Sequence, residues 1–465
     1  MNRQQMARYA CVALVVATAS AAGATTGSDA ANTLSAADKT GTVRTFSTSD
    51  SIDTNNPFFQ SLGSNGRSCA SCHRPETAWS ITPAGVQARF KESAGTDPLF
   101  RTNDGSNSPN ADVSTDDARR HAYSMLLGKA LIRVGLPIPA GAEFTLAGAD
   151  DPYGFAGANE LSLFRRPLPS TNLRFLTGVM WDGRETHGLF KPPMDAGGAM
   201  SDLVASFKGQ AASAVRDHAQ GTVTPTDAQL QQIVTFELGL TTAQQSDVIA
   251  GVLSDGDALG GPRMLANMQF HLGINDALGA DPTQAPFEMG SMTLFDAWTP
   301  QHGQAGGSPR AAIARGEELF NYKEIAITGV GGLNDELQLP VITGTCTTCH
   351  DAPNVGNHSV ALAINIGVSD ASRRTPDMPL YTLRNNASGA TLQSTDPGRA
   401  LITGKWNDMG KFKPPVLRGL SARAPYFHNG MAASIEDVLN FYVTRFNIGL
   451  TPQERSDLIA FLNAL

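Results

Sequence analysis

Cys69-Ala70-Ser71-Cys72-His73 and Cys346-Thr347-Thr348-Cys349-His350 are two copies of one pattern, Cys-x-x-Cys-His. Two thiols at this spacing can add across the vinyl groups of a porphyrin, and the adjacent imidazole can bind its iron from the same turn. The chain has five cysteines, and these runs use all but Cys11. The pattern predicts a di-haem c-type cytochrome: two covalently bound haem c groups held by Cys69, Cys72, Cys346 and Cys349, with His73 and His350 as proximal iron ligands. Other readings are weaker. No βαβ pattern surrounds either copy, as a thioredoxin-like redox pair would require. The wide separation of the copies argues against one shared tetrathiolate zinc site. A disulfide in each motif would leave the following histidine unexplained twice.

The amino terminus agrees with this reading. Arg3 and Arg8 precede an apolar run over 9–19, followed by small residues with Ala-x-Ala sites ending at Ala21 and Ala24. Residues 1–24 thus read as a secretory signal peptide, too short and too rich in small residues for a membrane span. Cys11 falls inside it. Haem is attached to c-type proteins outside the cytoplasm, so export and motif together predict a periplasmic protein, cleaved near Ala21 or Ala24. No later stretch is long and apolar enough to cross a bilayer. A formal net charge of −8 argues against nucleic acid and anionic membranes as partners and suits a basic redox partner.

The 465 residues, 41% hydrophobic with 46 glycines and 27 prolines, predict ample cores joined by many turns and long loops. Residues 25–50, rich in Ser, Thr, Ala and Asp, read as a flexible lead-in. Helical spacing runs over 116–134, and the Pro/Gly-rich stretch 135–157 reads as a loop or irregular hairpin. Further helices are predicted over 227–240 and 310–320, with a domain boundary in the Gly/Pro-rich interval 303–309. Ser434-Ile435-Glu436-Asp437 and Thr451-Pro452-Gln453-Glu454 are capping boxes that open two carboxyl-terminal helices. Strand patterns are few and short. The expected fold is mostly α, with two cytochrome c-like haem domains: 51–302, carrying an insertion around 195–300, and 303–465.

Three further blocks carry a resemblance. Trp181-Asp182-Gly183-Arg184 lies between the haem motifs. Thr403-Gly404-Lys405 leads to Lys411-Phe412-Lys413-Pro414-Pro415-Val416-Leu417-Arg418. Ala424-Pro425-Tyr426-Phe427-His428-Asn429-Gly430 follows. Together with the haem motifs these resemble the bacterial di-haem cytochrome c peroxidases, a family that includes MauG-type enzymes oxidising residues of a partner protein. The likeness covers most of the second half and parts of the first.

The resemblance implies hydrogen peroxide reacting at the His73 iron and electrons entering through the His350 iron from a small periplasmic cytochrome c or cupredoxin. A homodimer is compatible with the family. No histidine lies between His73 and His121, so the removable distal histidine of closed family members is missing, as in the MauG-type branch. The family's distal Gln and Glu correspond to Val179 and about Leu189, which leaves Glu185 and His187 as nearby substitutes. By the same likeness, the sixth ligand of the second iron is Tyr442, with Met409 and Met431 as alternatives. His428 is expected near the second haem, orienting a propionate or an interdomain loop. Trp181 and Trp406 are candidate relays, each with a packing role as the alternative. The family's calcium ion would fall at the Arg423 and Pro425 carbonyls with Asn172.

Overall fold

A computed structural model describes residues 30–187, 196–300 and 306–465. The signal-peptide expectation with Cys11, Ala21 and Ala24, the distal position Leu189 and part of the boundary at 303–309 lie outside the described residues.

Helix outweighs strand, 31% to 17%, but strand is more abundant than expected. The described part of the lead-in is ordered as two strands, β1 (Thr33–Ala37) and β2 (Gly41–Ser47). Alternation explains it: Val43, Thr45 and Ser47 turn inward while their neighbours stay more accessible. β2 pairs on its other edge with β6 (Leu240–Asp247), where Thr45 Oγ1 and Thr242 Oγ1 lie 2.8 Å apart in the core. A lead-in read as polar is held because its short hydroxyl side chains find buried partners.

The predicted helix over 116–134 divides. α2 (Asp116–Ala122) and α3 (Ser124–Lys129) meet at Tyr123, and Ala130 closes α3 in the left-handed region. The chain then becomes strand β3 (Ile132–Leu136), paired antiparallel with β5 (Leu161–Arg165). Within 135–157, β4 (Phe144–Asp150) finds no local partner. It pairs instead with β10 (Leu380–Asn385), which also carries β11 (Thr391–Ser394). One sheet therefore joins strands from both halves of the sequence.

The capped helices form as expected. α5 (Asp227–Gly239), α9 (Ile435–Phe446) and α10 (Pro452–Ala464) each begin with a reciprocal box, at Thr226/Gln229, Ser434/Asp437 and Thr451/Glu454. α7 (Pro309–Tyr322) starts at a Ser308 cap and packs on α10. Gly316 makes that contact: a Cβ there would lie 2.0 Å from the Asp457 carbonyl oxygen. Gly316→Ala must push the helices apart. It is expected to cost about 1–3 kcal/mol in denaturant unfolding, and an unchanged midpoint would show that the helices can yield. Around this pair Phe295, Trp298, Phe320, Leu439, Leu458 and Phe461 form the largest apolar core, into which the second haem motif inserts through Cys346.

Candidate haem sites

The two motifs adopt the same local structure. Cys69–Ser71 and Cys346–Thr348 are single 3₁₀ turns, each opened by a hydroxyl pair, Ser68 with Ser71 and Thr345 with Thr348. The backbone N–H of each histidine donates to the carbonyl of its first cysteine, at 3.0 Å for His73 and 3.1 Å for His350. Both thiol pairs are unbridged. Burial pushes Cys69, Cys346 and Cys349 up to about 12, so they are neutral thiols. Among the described residues no cysteine joins a cluster of three or more metal-ligating side chains.

Each histidine is also aimed in the same way. Nδ1 of His73 lies 3.0 Å from the carbonyl of Trp79, and Nδ1 of His350 lies 2.5 Å from the carbonyl of Gly356, six residues on in both cases. A bond at Nδ1 fixes the tautomer and leaves Nε2 bare for a metal. The chain must bend back to bring the carbonyl round. Gly356 does so at φ +79°, where a Cβ would meet Met292 and Leu417, whereas Trp79 does so at φ 58° as a bulky residue held in an aromatic cluster with Phe58, Phe59 and Phe236.

Beside the second motif opens an apolar cavity with about 230 Å³ of interior space. It brings together Cys346, Cys349, His350, Tyr442, His428 and Trp181. At its wall stand three cations, buried Arg166 and Lys413 and half-buried Arg423, none of which forms a salt bridge among the described residues. Burial first, then the charge of Arg423, holds Arg166 at about 9 and Lys413 at about 8. Unpaired buried cations are costly and mark a place for anionic groups. An apolar slot with paired thiols, an oriented imidazole and basic groups at its wall fits a covalently attached porphyrin with carboxylate side chains.

No protein-family model matches the chain. Among curated proteins it is similar to the cytochrome-c peroxidase IdrP2 of Denitromonas iodatirespirans, 33% identical over 135 residues, covering 26% of this chain and 36% of that protein. It is also similar to the cytochrome c551 peroxidase of Nitrosomonas europaea, 31% identical over 121 residues, covering 26% of this chain and 30% of that protein. The match thus spans about a third of the length of these relatives. Similar solved structures include a MauG-like protein associated with microbial copper homeostasis (15% identity, 88% and 87% of the two chains, TM-score 0.36). Another is the diheme peroxidase BthA from Burkholderia thailandensis (16% identity, 88% and 84%, TM-score 0.32). The curated likeness is thus to cytochrome-c peroxidases, and it rests on about a quarter of this chain.

The other candidates can now be placed. Tyr442 lines the His350 cavity between Phe441 and Phe446, and burial, followed by the neighbouring cysteines, raises its phenol. Met409 packs instead with Phe144, Tyr381 and Leu383, and Trp406 lies against that cluster. Met431 is half-buried on the loop before α9. His428 stacks on Phe412 at 3.9 Å, and burial lowers it to about 4, so its ring is neutral. Glu185 is half-buried and accepts from Ser213 Oγ at 2.8 Å; His187 is exposed. Val179 is buried, with its N–H donating to Thr186 Oγ1.

Calcium fits poorly at its expected place. The Asn172 amide is used twice on the Thr242 backbone, and the Arg423 carbonyl accepts from Arg166. The small cleft between them is lined by Lys413, Arg418 and Arg423, which repel a dication.

The Trp-Asp-Gly-Arg block acts as a buried brace. Asp182 is fully buried and accepts from Arg165 and Arg184, while Arg165 Nε also donates to Asp396 at 2.7 Å. The brace locks β5 to the loop after β11 and sets Trp181 at the cavity, its Nε1 donating to the Arg166 carbonyl at 2.8 Å.

Sequence reasoning missed the three cavity cations and Glu237. Lys413 was visible only as a member of a quoted block and Arg423 only for its carbonyl, and nothing local says that they and Arg166 will share one wall. Glu237 sits on α5 under the first motif, 6% exposed, with its Oε2 unpartnered, and its charge bears on Cys69. Burial raises it to about 8. The folded protein therefore binds this proton more tightly than the unfolded chain, and stability from this group is lost as pH rises from about 4.5 through about 8. Glu237→Gln is expected to flatten thermal midpoint against pH over that window, removing a loss of up to roughly 5 kcal/mol. Parallel wild-type and variant curves would show Glu237 to be ionised in the fold.

Proposed function

We propose that this chain is an exported, periplasmic di-haem c-type oxidoreductase. It reduces hydrogen peroxide at the amino-terminal haem with electrons delivered through the carboxyl-terminal haem. The observation that carries the reading is the repeated Cys-x-x-Cys-His turn with each imidazole held at Nδ1 by a carbonyl, once beside an apolar cavity walled by unpaired cations.

In this reading residues 51–302 and 303–465 form the two haem-bearing units. Bound haem supplies the redox-active iron for peroxide reduction and for electron transfer. His73 and His350 present Nε2 to the two irons, while Trp79 and Gly356 fix those rings against rotation. Tyr442, which lines the same cavity as His350, would offer its phenol oxygen to that iron. Arg166, Lys413 and Arg423 neutralise the propionates, and neutral His428, stacked on Phe412, closes the wall without adding charge. The electron donor would be a small periplasmic cytochrome c or cupredoxin, attracted to the acidic chain, and a homodimer is compatible with the family. Calcium has no part in this reading.

The test is an absorption and EPR titration of the fully ferric holoprotein with hydrogen peroxide. A high-spin haem reacting within seconds, with the signals of both irons changing, is the expected result. Two low-spin haems indifferent to peroxide, before and after half-reduction, would leave a di-haem electron carrier without turnover.

One observation favours a second reading, MauG-like oxidation of a partner protein: an oxygen ligand candidate, Tyr442, faces the second haem cavity, where a methionine would favour a higher potential. Peroxide consumption that requires a particular protein substrate, rather than a small electron donor, would select it.

A further inference from the structure

Immediately after the second haem motif the chain builds another polar cluster that the haem chemistry does not use. Asp276, Asp351 and His358 are 2%, 0% and 2% exposed, and one ligand atom of each lies within 4.8 Å of the others. The carboxylates are divided in the same way. Asp276 Oδ2 accepts from the N–H groups of Leu278 (3.1 Å) and Ala280 (2.8 Å), and Asp351 Oδ1 accepts from Ser359 N at 2.6 Å. The remaining oxygens, Asp276 Oδ1 and Asp351 Oδ2, have no hydrogen-bond partner, and neither does His358 Nδ1. His358 Nδ1 stands 2.7 Å from Asp351 Oδ2, an ion-pair distance, and Asp276 Oδ1 faces the pair with no partner of its own. The side-chain oxygens of Asn357 and Ser359, on the same loop, are also buried and unpartnered.

Buried polar atoms are almost always satisfied, and several orphans converging on one point need a common partner. No lysine or arginine forms a salt bridge to Asp276 or Asp351 among the described residues. A divalent cation would use all three of these atoms at once. Calcium and magnesium prefer oxygen throughout, whereas one imidazole nitrogen with two carboxylate oxygens suits zinc or manganese. The backbone N–H groups that hold the second oxygen of each carboxylate are the kind of outer support that metal ligands receive.

We propose that Asp276, Asp351 and His358 form a non-haem site for a divalent transition cation of the zinc or manganese class. Its place is structural. Asp276 belongs to the segment following Gly273, whose N–H donates to the Ser359 carbonyl at 2.8 Å, and Asn275 Nδ2 donates to the Asp351 carbonyl at 3.1 Å. A cation here would staple this segment to the 351–359 loop, which carries the Gly356 carbonyl that aims His350.

The test is elemental analysis of the purified, haem-loaded full chain, counting zinc and manganese against haem iron, before and after equilibration with Zn²⁺ or Mn²⁺ and desalting. One equivalent of non-haem cation per chain is expected. X-ray absorption at its edge should show nitrogen and oxygen neighbours, including one imidazole, and no sulfur. Asp276→Asn and His358→Ala should each lower retained metal at least tenfold while keeping two haems per chain. Haem-loaded wild-type protein that takes up neither cation would overturn the proposal and leave a buried His–Asp pair. A sulfur-coordinated metal would overturn it too, as would full occupancy in both variants. If a variant fails to fold, the wild-type count and its absorption edge still decide. The readout is independent of peroxide turnover, so this site and the proposed activity can fail separately.

Discussion

In protein carrying His73→Gly, peroxide consumption is expected to fall by about 10²–10⁴-fold, the usual scale for loss of a directly participating group. Two haems per chain should remain, because Cys69 and Cys72 still tether the first porphyrin and Cys346 and Cys349 the second. His350→Gly should act differently. It leaves the first iron able to meet peroxide in the ferric state but slows the supply of electrons, so steady-state turnover falls while the first encounter persists. The comparison is made by stopped-flow absorption under single-turnover and steady-state conditions. Wild-type turnover in His73→Gly, with loss of the first encounter in His350→Gly, would exchange the two haem roles and sink the assignment.

The second large effect is on stability. Asp182→Ala removes the carboxylate shared by Arg165 and Arg184, and Arg165 is itself 2% exposed. Breaking a buried pair costs far more than the pair contributes, because the surviving charge stays desolvated. The expected loss is about 3–5 kcal/mol in denaturant unfolding, partly limited by Asp396, which still holds Arg165. Arg184→Ala, on the more accessible arm of the brace, should cost about 1 kcal/mol or less. Equal effects of the two substitutions would mean that the brace is not anchored at Arg165. Because the brace positions Trp181 at the second cavity, Asp182→Ala should also disturb the spectrum of the haem beside His350.

Some of this site is written locally. A Cys-x-x-Cys-His turn needs only five consecutive residues, so both turns could be read from the chain. The carbonyl six residues after each histidine was equally close in sequence, yet its role depends on backbone angles at Trp79 and Gly356 that residue identity alone does not give. The Trp-Asp-Gly-Arg string was visible, whereas its work as a brace depends on Arg165 and Asp396, brought in from elsewhere. The same holds for the three cations at the cavity wall, Arg166, Lys413 and Arg423. Their effect arises from sharing one wall without a counter-charge among the described residues.

The strands divide along the same line. Helices α5, α9 and α10 start where their capping boxes place them, because a cap is satisfied within four residues and an amphipathic face follows from 3.6-residue spacing. The region 116–134 had the apolar spacing of a helix, but Ile132 and Val134 joined a sheet because Leu161–Arg165 offered an edge. β4 shows the limit most clearly, since Phe144–Asp150 becomes a strand only against Leu380–Asn385. Sequence by itself determined the two Cys-x-x-Cys-His turns and the capped helices, whose hydrogen bonds close over a few residues. Only the tertiary structure decided the shared sheet, the buried brace, the cationic wall and the Asp276–Asp351–His358 cluster, because their partners are distant in sequence and their energies come from being buried together.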